Sequence, residues 1–183
     1  RSILIISGIL FIGALFGLFK IDYNASVLED LKPGNPLYDD LQYVEQKMGG
    51  TLPLEVIIDT KSENGSLHPQ FLNIIQSFKN EILKTPEINT AITPGDYLML
   101  ANEEWGDGER QLPSTLNDAL SFTVDFDRVQ TLLNDDYSKT RISCRMSDLP
   151  FDRGMQIRED ILLAGHKLFG ENIDINVTGS TLL

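Results

Sequence analysis

The hydrophobic pattern of this chain begins with an apolar run and continues as regular alternation. Residues 3–19 carry no charge, and Arg1 and Lys20 flank them. As a helix rising about 1.5 Å per residue, this run is roughly 25 Å long, near the minimum for a bilayer span. We therefore predict a transmembrane helix over residues 1–20, with a signal sequence and a buried core helix as the alternatives. Gly13 and Gly17 form a small-xxx-small pair, which predicts packing against another membrane helix.

Residues 21–52 are predicted to form a linker and a short amphipathic helix. A Pro-Gly pair at 33–34 indicates a turn. Apolar side chains then recur at helical spacing, at Leu37, Leu41, Val44 and Met48. The glycine pair at 49–50 is a typical helix stop, so we expect the helix to end there.

Residues 53–183 contain four segments in which apolar and polar side chains alternate, as in strands with one apolar face. These segments are residues 53–60, 88–92, 139–148 and 173–177. Two helices with one apolar stripe each are predicted at 69–84 and 152–169. The simplest way to bury all these surfaces is to place both helices on one face of a four-stranded sheet. Right-handed crossovers then favour a ferredoxin-like, split β-α-β arrangement, an α+β fold.

The predicted second and third strands are separated by an insertion, residues 93–139, which is too long for a simple loop. Helical spacing predicts short helices near residues 97–101, 115–120 and 126–133. The acidic stretch 103–109 is predicted to be an exposed loop. Trp105 within it either packs against its own loop or docks on a partner.

The charge of the chain argues against nucleic acid as a partner. It carries 27 acidic and 15 basic side chains, a net charge of −12 at pH 7. Without Arg1 and Lys20, which flank the predicted span, 13 basic side chains remain and the charge is about −14. Such a charge repels phosphate backbones and anionic headgroups. Cys144 is the single cysteine, so no internal disulfide can form, and its place on an apolar strand face predicts a buried thiol.

No residue pattern in the sequence predicts catalysis, a cofactor or a metal. His68 and His166 are isolated, and the adjacent pairs of carboxylates have no evident basic partner. The glycines at 106 and 108 lack the strand and the Lys-Ser/Thr ending of a phosphate loop. We therefore expect no enzyme activity, no cofactor and no metal-ligating residues.

Taken in order, these features resemble the first extracytoplasmic segment of RND-superfamily transporters, in particular the predicted exporters of the MMPL group. The resemblance is carried by NPLYDDL at 35–41, MGGTLPLEV at 48–56, RISCRM at 141–146 and VTGS at 177–180, behind an apolar span. It implies proton-driven efflux of lipids or other hydrophobic compounds across the bacterial inner membrane. Residues 53–183 would form a periplasmic porter domain. The chain would then continue into a second membrane helix.

The resemblance also implies partners and an interface. The partners would be the membrane, the remaining transmembrane helices, the second porter domain of the same transporter, and a lipid or hydrophobic substrate. Polar strand positions on the sheet face away from the helices would form the porter interface: Glu55, Asp59, Arg141, Ser143, Arg145, Asp174 and Asn176. Plain solvent exposure of that face is the alternative. A membrane-anchored extracytoplasmic sensor or adaptor is the alternative function.

Overall fold

The computed structural model describes residues 2–18, 31 and 34–179 of the 183-residue chain. The predictions on Arg1, Lys20, the linker 21–30, the proline of the 33–34 turn and the final residues 180–183 lie outside the described residues. Along the chain the elements are α1 (Ser2–Leu18), α2 (Pro36–Lys47), β1 (Leu52–Asp59), α3 (Pro69–Ile82), β2 (Ile88–Ile92), α4 (Pro94–Trp105), α5 (Leu116–Asp125), α6 (Asp127–Gln130), β3 (Lys139–Met146), α7 (Phe151–Phe169) and β4 (Asp174–Gly179).

The four strands form one antiparallel sheet in the order β2-β3-β1-β4. The predicted α+β class and the four strands are confirmed, and strand bounds agree with the prediction to within two residues. The two central strands, β1 and β3, pair along their whole length, from Leu52 opposite Met146 to Asp59 opposite Lys139. This register places Glu55 opposite Ser143 and Val56 opposite Ile142.

The main core lies between one face of the sheet and the two long helices. The inward positions of β1 and β3 alternate with exposed or half-buried ones. Leu54, Val56, Ile142 and Cys144 are at most 1% exposed, and apolar residues of α3 and α7 belong to the same cluster. The prediction of a buried Cys144 is therefore confirmed. In the strands every second side chain is apolar, and each helix has one apolar stripe. These patterns suffice to produce the layer, because each element has a single apolar surface to cover.

The insertion between β2 and β3 forms a second, smaller core from α4, α5 and α6. Leu98, Ala119, Phe122 and Val129 are buried there, against Leu67 in a short 3-10 turn that precedes α3. The prediction that residues 103–109 form a loop was wrong in part, because α4 continues to Trp105. The Trp105 side chain is 47% exposed, and its ring lies 5.8 Å from that of Phe126.

The helix predicted over residues 126–133 is shorter than expected, because its last residues pair with the sheet. Helix α6 ends at Gln130. The Arg141 backbone N–H donates to the Leu132 carbonyl at 2.9 Å, and the Asn134 N–H donates to the Lys139 carbonyl at 3.2 Å. β2 pairs with β3 only as far as Ser143, so this segment continues the same edge of β3. The segment pairs here because the edge of a strand has backbone N–H and carbonyl groups that would otherwise lack partners.

Helices α1 and α2 lie outside the two cores. α1 has 17 residues, and its described side chains are exposed. Among the described residues, no helix meets the combined length and hydropathy needed to cross a membrane. In α2 no described side chain is buried. Leu41 and Val44 are half-buried, but Leu37 and Met48 are 53% and 62% exposed, so half of the predicted apolar stripe lies uncovered.

Candidate functional site

The sheet face opposite α3 and α7 is the candidate functional surface. All seven predicted interface residues occupy strand positions between inward-facing neighbours. Glu55, Asp59 and Ser143 are half-buried, whereas the others are exposed: Arg141, Arg145, Asp174 and Asn176. The structure therefore brings the seven together on one surface, which we call the open face.

A hydrogen-bonded carboxylate occupies the centre of the open face. The Ser143 hydroxyl donates to Glu55 Oε1 at 2.9 Å. Arg141 Nε lies 4.0 Å from Glu55 Oε2, the outer limit of an ion pair. Oε2 itself is buried and accepts no hydrogen bond from the described residues. Because a buried carboxylate oxygen ordinarily accepts a hydrogen bond, this oxygen has unused acceptor capacity.

Two ion pairs neutralise one end of the open face. Lys139 Nζ lies 3.1 Å from Asp59 Oδ2, and Lys61 Nζ lies 2.9 Å from Asp174 Oδ2. A hydrogen bond from the Lys61 backbone N–H lowers the pKa of Asp59; slight burial opposes it, and Lys139 lowers the pKa further. Exposed pairs like these contribute at most about 1 kcal/mol each, so they order the surface charge more than they stabilise the fold.

The part of the open face next to β2 combines a cation with an exposed apolar side chain. Arg145 has no hydrogen-bond or ion-pair partner among the described residues. Ile92 lies opposite Ser143 and is 40% exposed. Sequence reasoning missed Ile92, because strict alternation from Ile88 turns it towards the core. A register shift between Ile88 and Thr90 instead buries Ala91 and turns Ile92 outwards.

A groove of about 360 Å³ runs along the open face beside the β3 edge. Ile57 and Leu132 contribute apolar lining, and Lys139 and Arg141 contribute cations. Each cation also has an acidic neighbour, Asp59 or Glu55, so the groove has no net excess of positive charge. A mixed apolar and charged surface with arginine is typical of a protein interface.

A larger cleft of about 740 Å³ lies on the opposite side of the molecule, between α3 and α4. Lys79 Nζ lies 2.6 Å from Asp96 Oδ1, while the Thr93 N–H donates to Asp96 Oδ2 at 2.7 Å. Burial raises the pKa of Asp96, but hydrogen bonds from Lys79, Thr93 and Gln76 outweigh it, so the pKa lies below its ordinary value. These bonds join α3 to the start of α4, so the charged groups in this cleft have a structural role.

The residue types that most often carry catalysis are not assembled into a site in the described part of the chain. His68 and His166 are exposed, at the start of α3 and in the last turn of α7. Burial, with a smaller contribution from the Glu55 charge, raises the pKa of the Cys144 thiol to about 12. No group of three or more potential ligands that could hold a metal ion occurs among the described residues.

The predicted packing glycines lie on α1. At Gly13 and Gly17, an added Cβ would meet no atom within 4 Å. Packing against a second membrane helix thus stays a prediction. Comparison with known proteins found no family model and no curated protein that matches this chain.

Proposed function

We propose that this chain is the first membrane helix and first periplasmic porter domain of an RND-superfamily, MMPL-type exporter of lipids or other hydrophobic compounds. The observation that carries the proposal is the open face. Helices α3 and α7 cover one side of the four-stranded sheet, and in the described part of the chain the other side has a mixed polar and apolar surface. The proposal places the second porter domain of the same transporter on that surface.

The proposed architecture is ferredoxin-like. Two strand-helix-strand units, β1-α3-β2 and β3-α7-β4, build a single antiparallel sheet. The strand order β2-β3-β1-β4 supports this assignment, because a split β-α-β fold places the first strands of both units at the centre. The helical insertion fits the same scheme, since it leaves the sheet intact and packs as a separate small core.

The composition of the open face favours a protein partner. Ile57 and Ile92 supply apolar area, Arg141 and Arg145 supply a side chain that is enriched in interfaces, and most other charges are internally paired. Internal pairing lowers the cost of removing water from those charges when another surface covers them.

The membrane helix is proposed from the uncharged run 3–19, of which α1 covers the described part. In the proposed transporter, Gly13 and Gly17 allow another membrane helix to approach closely. The linker would then place the domain on the extracytoplasmic side of the bacterial inner membrane. The proton-coupling charges of such a transporter would lie outside this chain.

The interface is tested by one enlarged side chain and its matched control in the parent protein. Asn176 is exposed on the open face, and Asn80 is exposed on α3. We expect Asn176→Trp to lower export more than about tenfold by obstructing the partner, and Asn80→Trp to change it less than about twofold. Both variants should fold, because exposed substitutions usually change stability by about 0.5 kcal/mol or less.

Export assays and thermal unfolding of both variants provide the measurement. Undiminished export with Asn176→Trp would refute the interface role and favour the sensor or adaptor. Equal losses in both variants would also refute it, since the effect would not depend on the open face.

A further inference from the structure

Helix α2 connects the α1 side of the chain to the sheet, yet it has little packing of its own. None of its described side chains is buried, and Leu37, Tyr43 and the following Met48 are more than half exposed. A 12-residue helix with so little buried surface does not keep a fixed orientation through apolar packing. Its orientation must therefore be set by specific polar contacts.

Glu45 provides those contacts. Its Oε2 atom accepts the Thr51 backbone N–H at 3.0 Å and the Thr51 hydroxyl at 2.9 Å. Its Oε1 atom accepts the Asp148 backbone N–H at 2.7 Å. Three hydrogen bonds between α2 and the sheet domain thus end on this one carboxylate.

The two donor residues flank different strands. Thr51 immediately precedes β1, and Asp148 lies two residues beyond the end of β3. The two strands are paired at this end, where Leu52 lies opposite Met146. A single side chain of α2 therefore bridges the ends of both central strands. Hydrogen bonds to an ionised carboxylate are roughly twice as strong as neutral ones, so this bridge is well suited to fix a helix.

A glycine pair lies between Glu45 and the sheet. Gly49 and Gly50 have φ values of +80° and +114°, in a region that side chains rarely adopt. A Cβ at Gly50 would clash with the Met146 carbonyl oxygen, so the backbone passes directly against the end of β3. Gly50 therefore holds the chain close to β3, whereas α2 has little packing of its own, so removal of Glu45 would leave α2 able to turn about the glycines.

We propose that Glu45 is a positioning residue that fixes the orientation of α2 against the ends of β1 and β3. In the transporter proposed above, it would thereby couple movement of the membrane helix to movement of the sheet. The coupling role rests on the proposed function, whereas the fixed orientation does not. The glycine pair acts as the pivot, and the Glu45 carboxylate stops rotation about it.

The orientation is tested by spin-label distance measurements in the full-length parent protein. Labels at Tyr43→Cys on α2 and Asn80→Cys on α3 occupy exposed sites, while native Cys144 is buried. We expect one narrow distance distribution with Glu45 and a distribution at least about twofold broader with Glu45→Ala. Glu45→Gln should be intermediate, because the amide keeps one acceptor oxygen and turns an N–H₂ group towards the other donor.

Asp40→Ala is the matched control, since it removes an exposed carboxylate from the same helix. An unchanged distribution in Glu45→Ala, or equal broadening in Asp40→Ala, would overturn the positioning role. If Glu45→Ala fails to fold, Thr51→Val is the second variant, because it removes the hydroxyl donor without changing the helix. An unchanged distance distribution in Thr51→Val would also overturn the positioning role.

Export by the same variants tests the coupling. We expect Glu45→Ala to lower export at least about fivefold while the sheet domain stays folded, and Asp40→Ala to have no effect. Broadened distances with full export would overturn the coupling and leave the orientation intact. A parent protein that exports nothing refutes the proposed function, and the distance measurement still decides the role of Glu45.

Discussion

At the scale of single residues, Asp96 shows how one carboxylate can join two elements. It completes the capping box at the start of α4 with Thr93, and it also pairs with Lys79 on α3. The two side chains of the ion pair are only 18% and 24% exposed. Removing one charge leaves the other partly buried without its partner, which costs more than the loss of a surface pair.

We predict that Asp96→Asn lowers the free energy of unfolding at pH 7 by about 1–3 kcal/mol. The folded-state pKa of Asp96 is lowered, so its contribution is present above the ordinary pKa of an aspartate. It is lost as the pH falls through the lower, folded-state pKa. Stability of the variant should therefore depend less on pH below about 4 than that of the unaltered protein.

Urea unfolding at pH 7 and pH 3 measures both effects. Asp118→Asn is the control, because Asp118 has the same capping position in α5 but is exposed and has no lysine partner among the described residues. We expect it to cost about 0.5–1 kcal/mol. An equal cost in the two variants would show that the cap, and not the Lys79 pair, is what Asp96 contributes.

At the scale of elements, the backbone between α2 and β1 lies in close contact with the end of β3. We predict that Gly50→Ala lowers the free energy of unfolding by about 2–4 kcal/mol, because positive φ strain and a close contact with the Met146 carbonyl add together. Gly108→Ala is the control. Its φ of +80° is also positive, but an added Cβ meets no atom within 4 Å.

Gly108→Ala should cost only about 1 kcal/mol, since it contributes strain without a steric clash. Thermal or denaturant unfolding of the two variants provides the comparison. Similar losses would mean that the close approach at Gly50 relaxes easily, and would weaken the case for a fixed pivot beside Glu45.

Also at this scale, most elements follow from the sequence because their signals are local. The apolar stripes of α3 and α7 and the alternation of β1, β3 and β4 are visible within a few residues. The errors occur where an element is ended by a distant partner. Residues after Gln130 leave the helical path to pair with β3, and β2 shifts its register after Ile88.

At the scale of the whole molecule, the central prediction is membrane attachment through residues 1–20. Expressed in bacteria, the 183-residue chain should remain in the membrane fraction after carbonate extraction, because an uncharged apolar helix is retained by the hydrocarbon core. The same chain with two added arginines, Leu10→Arg and Ile12→Arg, should be largely released, since each charge at the helix centre costs about 2.5–3.5 kcal/mol.

The control replaces Ile92 and Val124, two exposed apolar residues of the domain, with arginine. We expect no change in retention, because neither belongs to α1. Release of the unaltered chain by carbonate would contradict the proposed membrane helix. It would leave the sheet and its open face without the transporter role proposed for them.

By itself, the sequence determined the four strands and the two long helices, the apolar sides of β1, β3, β4, α3 and α7, and that Cys144 is buried. These properties follow from the period of the apolar side chains, which is fixed locally. It also indicated that seven polar side chains share one sheet face, since alternation assigns a face to every strand residue. Their role as an interface stays a proposal.

Only the tertiary structure decided which distant groups meet. Glu45 accepts a hydrogen bond from Asp148, 103 residues away, and Ser143 bonds Glu55 across 88 residues. The outward turn of Ile92 depends on the register of β2 against β3. No local pattern encodes such partners, because strand register and the path of a connecting segment are set by how all the layers pack together.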